Sequence, residues 1–207
     1  MNNLKRFSLS SLKLDKNHPE IFAVTSGKGG VGKSNISVNL ALLMSQMKKN
    51  VLVIDADIHL GNVDLLMGIR PKYSIADVIN GKIALKDVIT KGLGGIDILP
   101  AGSAVIEMLD LEDKVLQKLD DAFSQFEHKY DTIIVDTGAG VHHSVMSFVF
   151  GADKVILVVT PDPASIADSY GMVKVIRNTN ADIPIIMISN MVDHEENGES
   201  TVSYTNL

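Results

Sequence analysis

The chain has no cysteine among its 207 residues. That absence excludes a disulfide framework, cysteine-ligated zinc and any iron–sulfur cluster held by thiolates. Long apolar runs are also missing, and none approaches the ~20 residues needed to cross a bilayer. There is no basic excess either. With 19 Lys and Arg against 25 Asp and Glu, the net charge is −6 and the isoelectric point about 5.4. No global field draws such a chain to nucleic acid, so DNA binding is not expected, although a local patch is compatible with the balance.

The first residues, "MNNLKRFSLSSLKLDKNHPE", are mildly basic and serine-rich. They lack the continuous apolar stretch of a secretory signal. A flexible lead-in over 1–19 is the expectation, with a mitochondrial-type presequence as the lesser alternative and the cytosol as the expected compartment. No internal repeat and no low-complexity segment is visible.

What the sequence does have is apolar material, 45% of its residues, with a mean hydropathy of +0.18. One substantial core and one domain follow as expectations. Short β-branched runs recur along the chain: "EIFAVT" (20–25), "NVLVIDAD" (50–57), "GIDILPAG" (95–102), "DTIIVDTGAG" (131–140), "DKVILVVTP" (153–161) and "IPIIMISN" (183–190). Several are almost continuously apolar, as strands buried on both faces of a parallel sheet must be. Between them, "EDKVLQKLDDAFSQFEHK" sets Val115, Leu116, Leu119, Phe123 and Phe126 at helical spacing, a stripe suited to packing on a sheet. The pattern predicts a doubly wound α/β fold, with a mostly parallel sheet flanked by helices and ligands at the carboxyl ends of the strands. The domain is expected to span 20–192, leaving a polar tail over 193–207 with no further strand–helix pattern.

The stretch "TSGKGGVGKSN" (25–35) carries the chemistry. Within it, Gly27 to Ser34 satisfies the phosphate-loop pattern G-x-x-x-x-G-K-[ST]. Glycines let successive backbone N–H groups turn onto phosphate oxygens where side chains would clash. A helix starting near Lys33 aims its N-terminal N–H groups at the same anion. Lys33 can then reach the outer phosphates, and Ser34 can offer a hydroxyl to Mg²⁺. The bland alternative is a glycine-rich turn, which the full pattern between a strand and a helix disfavours.

Other candidates follow from position. Asp55 and Asp57, two apart at a strand end, face one side. One can support the metal and its waters while the other orients the attacking water, unless both are merely strand-end caps. Asp136 ends the run "TIIVD" and is placed to hold Mg²⁺ through water. The glycines of the following "TGAG", Gly138 and Gly140, suit a loop that responds to a γ-phosphate. His142 and His143, with no cysteine or spaced carboxylates nearby, read as surface or switch-loop residues rather than metal ligands.

With its second lysine, Lys28, the loop resembles the deviant Walker A motif K-G-G-x-G-K-[ST] of the MinD/ParA group of P-loop ATPases. The resemblance runs over 21–190. Within that group, "VIDADIHLGNVDLLMGI", "DILPAGS", "VDTGAGVHHSVMSF" and "TPDPASIADSYGMV" make it similar to the flagellar-number regulators of the FlhG type, also called FleN or YlxH.

The resemblance implies an ATP-bound homodimer in which Lys28 reaches the partner's phosphates. Gly27, Lys28, Gly29, Gly30, Val31, Gly32, Lys33, Ser34 and Asn35 would form the nucleotide loop, and Asp57 would act on the hydrolytic water. Ser34, Asp55 and Asp136 would serve the metal, and Asp136, Gly138 and Gly140 would form switch II. Asn190 would read adenine, with Pro161 and Asp162 in the loop near the base and the dimer face. ATP or ADP and Mg²⁺ are the implied cofactors. The implied partners are the FlhF GTPase and flagellar switch-complex or transcription-regulator proteins.

Two departures stand out. Residues 1–20 lack the D-Q-A-x-x-L-R segment with which this type stimulates FlhF. The chain also ends at Leu207 without the C-terminal amphipathic helix that brings family members to the membrane, so its sheet is expected to lack an edge element. A longer product with that helix would sit peripherally at the inner face of the cell membrane. No arginine lies in the phosphate loop or switches, the nearest being Arg70, so a lysine in trans would supply the charge that an arginine finger gives other NTPases. Lys28 folding back on its own phosphates, or facing solvent, is the alternative. At the level of function, a ParA-type partitioning ATPase and a small-molecule P-loop enzyme of the dethiobiotin-synthetase kind are the competing readings.

Overall fold

The apolar runs become the centre of a seven-stranded sheet. A computed structural model describes residues 18–57, 62–74, 77–78, 80–100 and 129–203. The strands are β1 (Glu20–Ser26), β2 (Val51–Ala56), β3 (Thr90–Lys91), β4 (Asp97–Pro100), β5 (Thr132–Ala139), β6 (Lys154–Val159) and β7 (Ile185–Ser189). Their order in the sheet is β3-β4-β2-β5-β1-β6-β7. Every pairing is parallel except β3 with β4. The predicted doubly wound, mostly parallel fold is therefore observed.

The helices are α1 (Lys33–Gln46), α2 (Val63–Leu66), α3 (Leu85–Val88), α4 (His143–Gly151), α5 (Pro163–Thr179) and α6 (Glu195–Ser203), with a 3₁₀ turn at Leu93–Gly95. Two apolar layers flank the sheet. One gathers Ile21, Leu52, Ile133, Val135, Leu157, Phe148 and Met172. The other gathers Val24, Val53, Ile134, Val38 and Ala41. Alternate residues of each central strand feed opposite layers, which is why β1, β2 and β5 read as continuous apolar runs. α1 presents Lys33, Ser37, Val38 and Ala41 inward at helical spacing.

β1 lies between β5 and β6, so the chain winds outward in both directions from it. A parallel sheet binds ligands at the carboxyl ends of its strands where the order reverses. The phosphate loop leaves β1 at that point.

Two elements differ from the expectation. The two-residue β3 pairs antiparallel through Thr90 and Lys91, too short to leave a period-2 signature. The stretch 193–207, expected as a polar tail without further pattern, contains α6. That helix carries Glu195 and Glu196 in its first turn, where the dipole favours acidic groups. It buries only Thr201 and lies against β7, with an added Cβ at Gly198 only 3.7 Å from Ser189 and Val192 atoms. With so few apolar residues and an Asn-Gly pair inside it, no amphipathic stripe announces it. β7 closes one end of the sheet and β3 the other. The stripe Val115, Leu116, Leu119, Phe123 and Phe126 lies outside the described residues. Among the described residues, no helix is long and apolar enough to cross a membrane.

Candidate nucleotide-binding site

The loop between β1 and α1 is held in place by contacts that only glycine permits. Gly27 packs against the start of α5's second turn, and a Cβ there would run into the backbone of Asp168, with Ser169 N at 2.6 Å. Gly32 caps α1 with φ +94, a left-handed conformation. A Cβ on it would also collide with the Asn190 side chain. Gly30 is left-handed as well, whereas Gly29 is not and faces open space. Val31 is buried and anchors the loop tip.

Lys33, the first residue of α1, is 6% exposed. It shares the wall of a cleft of about 530 Å³ with Gly29, Gly30, Gly32, Ser34 and Asn35. Asp57, Asn62, Gly138, His142 and Met191 also line it. The end of β1 that leads into the loop is tied to the end of β5 at two points. Gly140 N donates to Ser26 O at 2.8 Å, and Thr137 Oγ1 donates to Val24 O at 3.0 Å.

Asp55 and Asp136 are register partners on β2 and β5. Both oxygens of Asp55 accept backbone N–H groups, from Asp57 and Val63, at 3.2 Å each. Its first task is thus to pin the chain leaving β2. Burial, then the neighbouring Asp136, pushes its carboxyl up to about 7, against the pull of those two N–H groups. Asp136 Oδ1 accepts the Ser37 hydroxyl at 2.9 Å, while its buried Oδ2 has no hydrogen-bond partner. Burial pushes Asp136 up to about 6, opposed by the nearby Ser34 and Ser37 hydroxyls and the Lys33 ammonium.

Lys28 stands outside the cleft wall. Its Nζ donates to Asp162 Oδ2 at 2.6 Å, both side chains being close to half exposed. Asp162 also caps α5 by accepting from Ser165 N at 3.1 Å, next to Pro163 at the first helical position. The Lys28 bond, then the Ser165 N–H, holds the Asp162 carboxyl below the usual range. Asn190 Nδ2 donates to Val31 O at 2.8 Å. Pro161, ahead of Asp162, is half-buried.

A family model described as an AAA domain matches residues 19–185. The chain belongs to this AAA-domain family. Antiactivator FleN of Pseudomonas aeruginosa is 42% identical over 184 residues, covering 88% of this chain and 66% of FleN. Flagellum site-determining protein YlxH of Helicobacter pylori is 35% identical over 189 residues, covering 90% and 63%. This AAA-domain chain therefore spans about two thirds of the length of these relatives. The septum site-determining protein MinD complexed with Mg-ADP from Pyrococcus horikoshii OT3 superposes with a TM-score of 0.72 at 26% identity. The match covers 91% of this chain and 78% of that one. The fold is that of the MinD/ParA P-loop ATPases.

The residues present fit a Mg-nucleotide. The left-handed Gly30 and Gly32 leave the loop's inner face clear for phosphate oxygens, and Lys33 waits in the cleft. The orphaned Oδ2 of Asp136 is a buried acceptor in want of a donor, as a metal-bound water would be. Among the described residues, no group of three His, Cys, Asp or Glu could hold a metal alone. Mg²⁺ does not need one, since it keeps waters and takes phosphate oxygens as ligands. Ser34, and Asp136 through a bound water, are the residues that could hold it.

Of the residues singled out from the sequence, Lys33, Ser34, Asn35, Asp57 and Gly138 come together on the cleft, with Asp136 behind it. Lys28 and Asp162 pair outside its lining, with Pro161 next to Asp162 in the chain. Sequence reasoning missed Ser37, Asn62 and Met191. Ser37 was legible in principle, three residues after Ser34 on the α1 face that meets β5. Asn62 and Met191 follow strand ends but carry no motif.

Proposed function

We propose that this chain is a MinD-type ATPase switch that dimerises on ATP, hydrolyses it slowly with Mg²⁺ and then releases its partners. The observation that carries this reading is the division of labour between the two lysines. Lys33 is sequestered in the cleft, whereas Lys28 is not part of its lining and among the described residues its ammonium is held by Asp162, an exposed aspartate. An exposed pair of this sort contributes about 0–1 kcal/mol, so Lys28 can leave Asp162 cheaply for a partner's phosphates.

The remaining roles follow from placement. The loop N–H groups and Lys33 bind the phosphates. Asp57, just past β2 and beside Gly138, where an added Cβ would lie 3.8 Å from Asp57 Oδ1, orients the attacking water. Mg²⁺, when bound, neutralises charge on the phosphates as the bond breaks. Asn190 holds the loop and accepts from the adenine amine. In place of an arginine finger, Lys28 makes hydrolysis depend on a second copy.

The names antiactivator and flagellum site-determining protein belong to the relatives, and they support a role in flagellar number or placement. FlhF, a flagellar switch-complex protein or a transcription regulator are then the proposed partners, in the cytosol or at the inner membrane face. Phosphate release measured against protein concentration tests the core of the reading. The rate per molecule is expected to rise with concentration and to vanish in Lys33→Ala. A rate per molecule that stays flat over a hundredfold concentration range contradicts it.

A further inference from the structure

We propose that His142 reads the terminal phosphate, so that the cleft distinguishes ATP from ADP through an imidazole N–H. The inference rests on the nucleotide-site reading above and adds a residue to it. β5 ends at Ala139, Gly140 turns the chain with φ +86, and His142 occupies the N-cap of α4. Its backbone is fixed, since His142 O accepts from Met146 N at 3.0 Å.

The imidazole is not used by the helix, because His142 makes no side-chain cap. Among the described residues, the ring makes no hydrogen bond or ion pair. It lies back over Gly140, where an added Cβ would sit 3.5 Å from Cδ2 and 3.6 Å from Nε2. That glycine leaves the ring room to stand along the cleft wall with Asp57, Asn62 and Gly138.

Placement then assigns the ligand. The loop N–H groups and the α1 N-terminus cradle the inner phosphates, and Lys33 reaches toward the outer ones. Ser34, Asp57 and His142 line the same cleft, so the phosphate that ATP has and ADP lacks would extend past Ser34 toward Asp57 and His142. Asp57 presents negative charge to that space and repels a third phosphate. A donor beside it offsets this, and His142, which lines the cleft with Ser144, can provide an imidazole N–H. Because its backbone also begins α4 at the N-cap position, the phosphate it touches is linked directly to the position of that helix.

The test compares dissociation constants for the β,γ-imido analogue of ATP and for ADP, both with Mg²⁺. Protein is kept at concentrations where light scattering shows a monomer, so that dimerisation does not enter. His142→Ala is expected to reduce the preference for triphosphate over diphosphate about tenfold, the scale of one charge-assisted hydrogen bond. ADP affinity should not change. His142→Gln, which keeps an N–H donor, is expected to restore most of the preference. The proposal is overturned if His142→Ala keeps the wild-type ratio, or if it weakens both nucleotides equally as a structural lesion would. Wild-type protein that binds neither nucleotide defeats the underlying reading instead, and the two failures are distinguishable.

Discussion

Individual glycines of the phosphate loop have different jobs, and the motif alone does not separate them. Gly27 is required by packing, because α5's backbone occupies the space of a Cβ. Gly32 is required by conformation as well as by Asn190. Gly29 has neither constraint, since nothing lies within 4 Å and its φ is not left-handed. Gly27→Ala is therefore expected to lower stability by about 1–3 kcal/mol, the usual cost of forcing a methyl into packed structure. Gly29→Ala should stay within about 0.5 kcal/mol of wild type. Chemical denaturation of the two variants side by side checks this, and equal losses would show that the loop does not bear on α5. The same scale explains why Lys33 was legible and Ser37 was not. Lys33 belongs to a pattern with fixed spacing, while Ser37 acquires its role only when α1 packs over β5 and meets Asp136.

Among elements, those buried on both faces were legible and those at the margins were not. β1, β2, β5 and β6 announce themselves because each side chain enters one of two apolar layers. β3 and α6 are held by neighbours rather than by their own pattern, so no local signal reveals them. The amino end of the sheet is also pinned by polar contacts that no motif describes. There Asp97, 2% exposed at the start of β4, accepts the Tyr130 hydroxyl at 2.7 Å. Lys91 lies 2.7 Å from Oδ1 and Lys129 3.1 Å from Oδ2. Burial pushes the Asp97 carboxyl up, but the bonds from Lys91, Tyr130 and Lys129 outweigh it and the net shift is downward. Tyr130→Phe removes one buried bond to a charged acceptor and is expected to cost about 1.5–3 kcal/mol. Nucleotide affinity should be unaffected, because this cluster lies at the opposite end of the strands from the cleft. An unchanged unfolding midpoint would show that Asp97 needs only its lysines.

At the scale of the whole molecule, the site stores unfavourable electrostatics that a ligand would relieve. Asp55 and Asp136 bind their protons more tightly when folded, at about 7 and about 6, than in the unfolded chain near ~3.9. Their contribution to stability is therefore full below pH ~4 and is lost as pH rises through those folded values. Asp77, Asp97 and Asp162 are shifted down. They are ionised in both states above pH ~5 and add no slope there. Metal-free and nucleotide-free protein is expected to melt at lower temperature at pH 8 than at pH 5.5. Asp55→Asn, which has no proton to lose, should flatten that fall. Calorimetry across the range checks it, and a melting temperature that rises with pH would contradict it.

The central claim concerns two copies of the chain, one lysine from each completing the other's site. Size-exclusion chromatography with light scattering tests it most directly, on wild type, Lys28→Ala and Asp57→Ala, each with Mg-ATP and with Mg-ADP. The account predicts a monomer with ADP throughout, a dimer with ATP for wild type, a longer-lived dimer for Asp57→Ala, and no dimer for Lys28→Ala. A Lys28→Ala protein that dimerises with ATP as wild type does would contradict it.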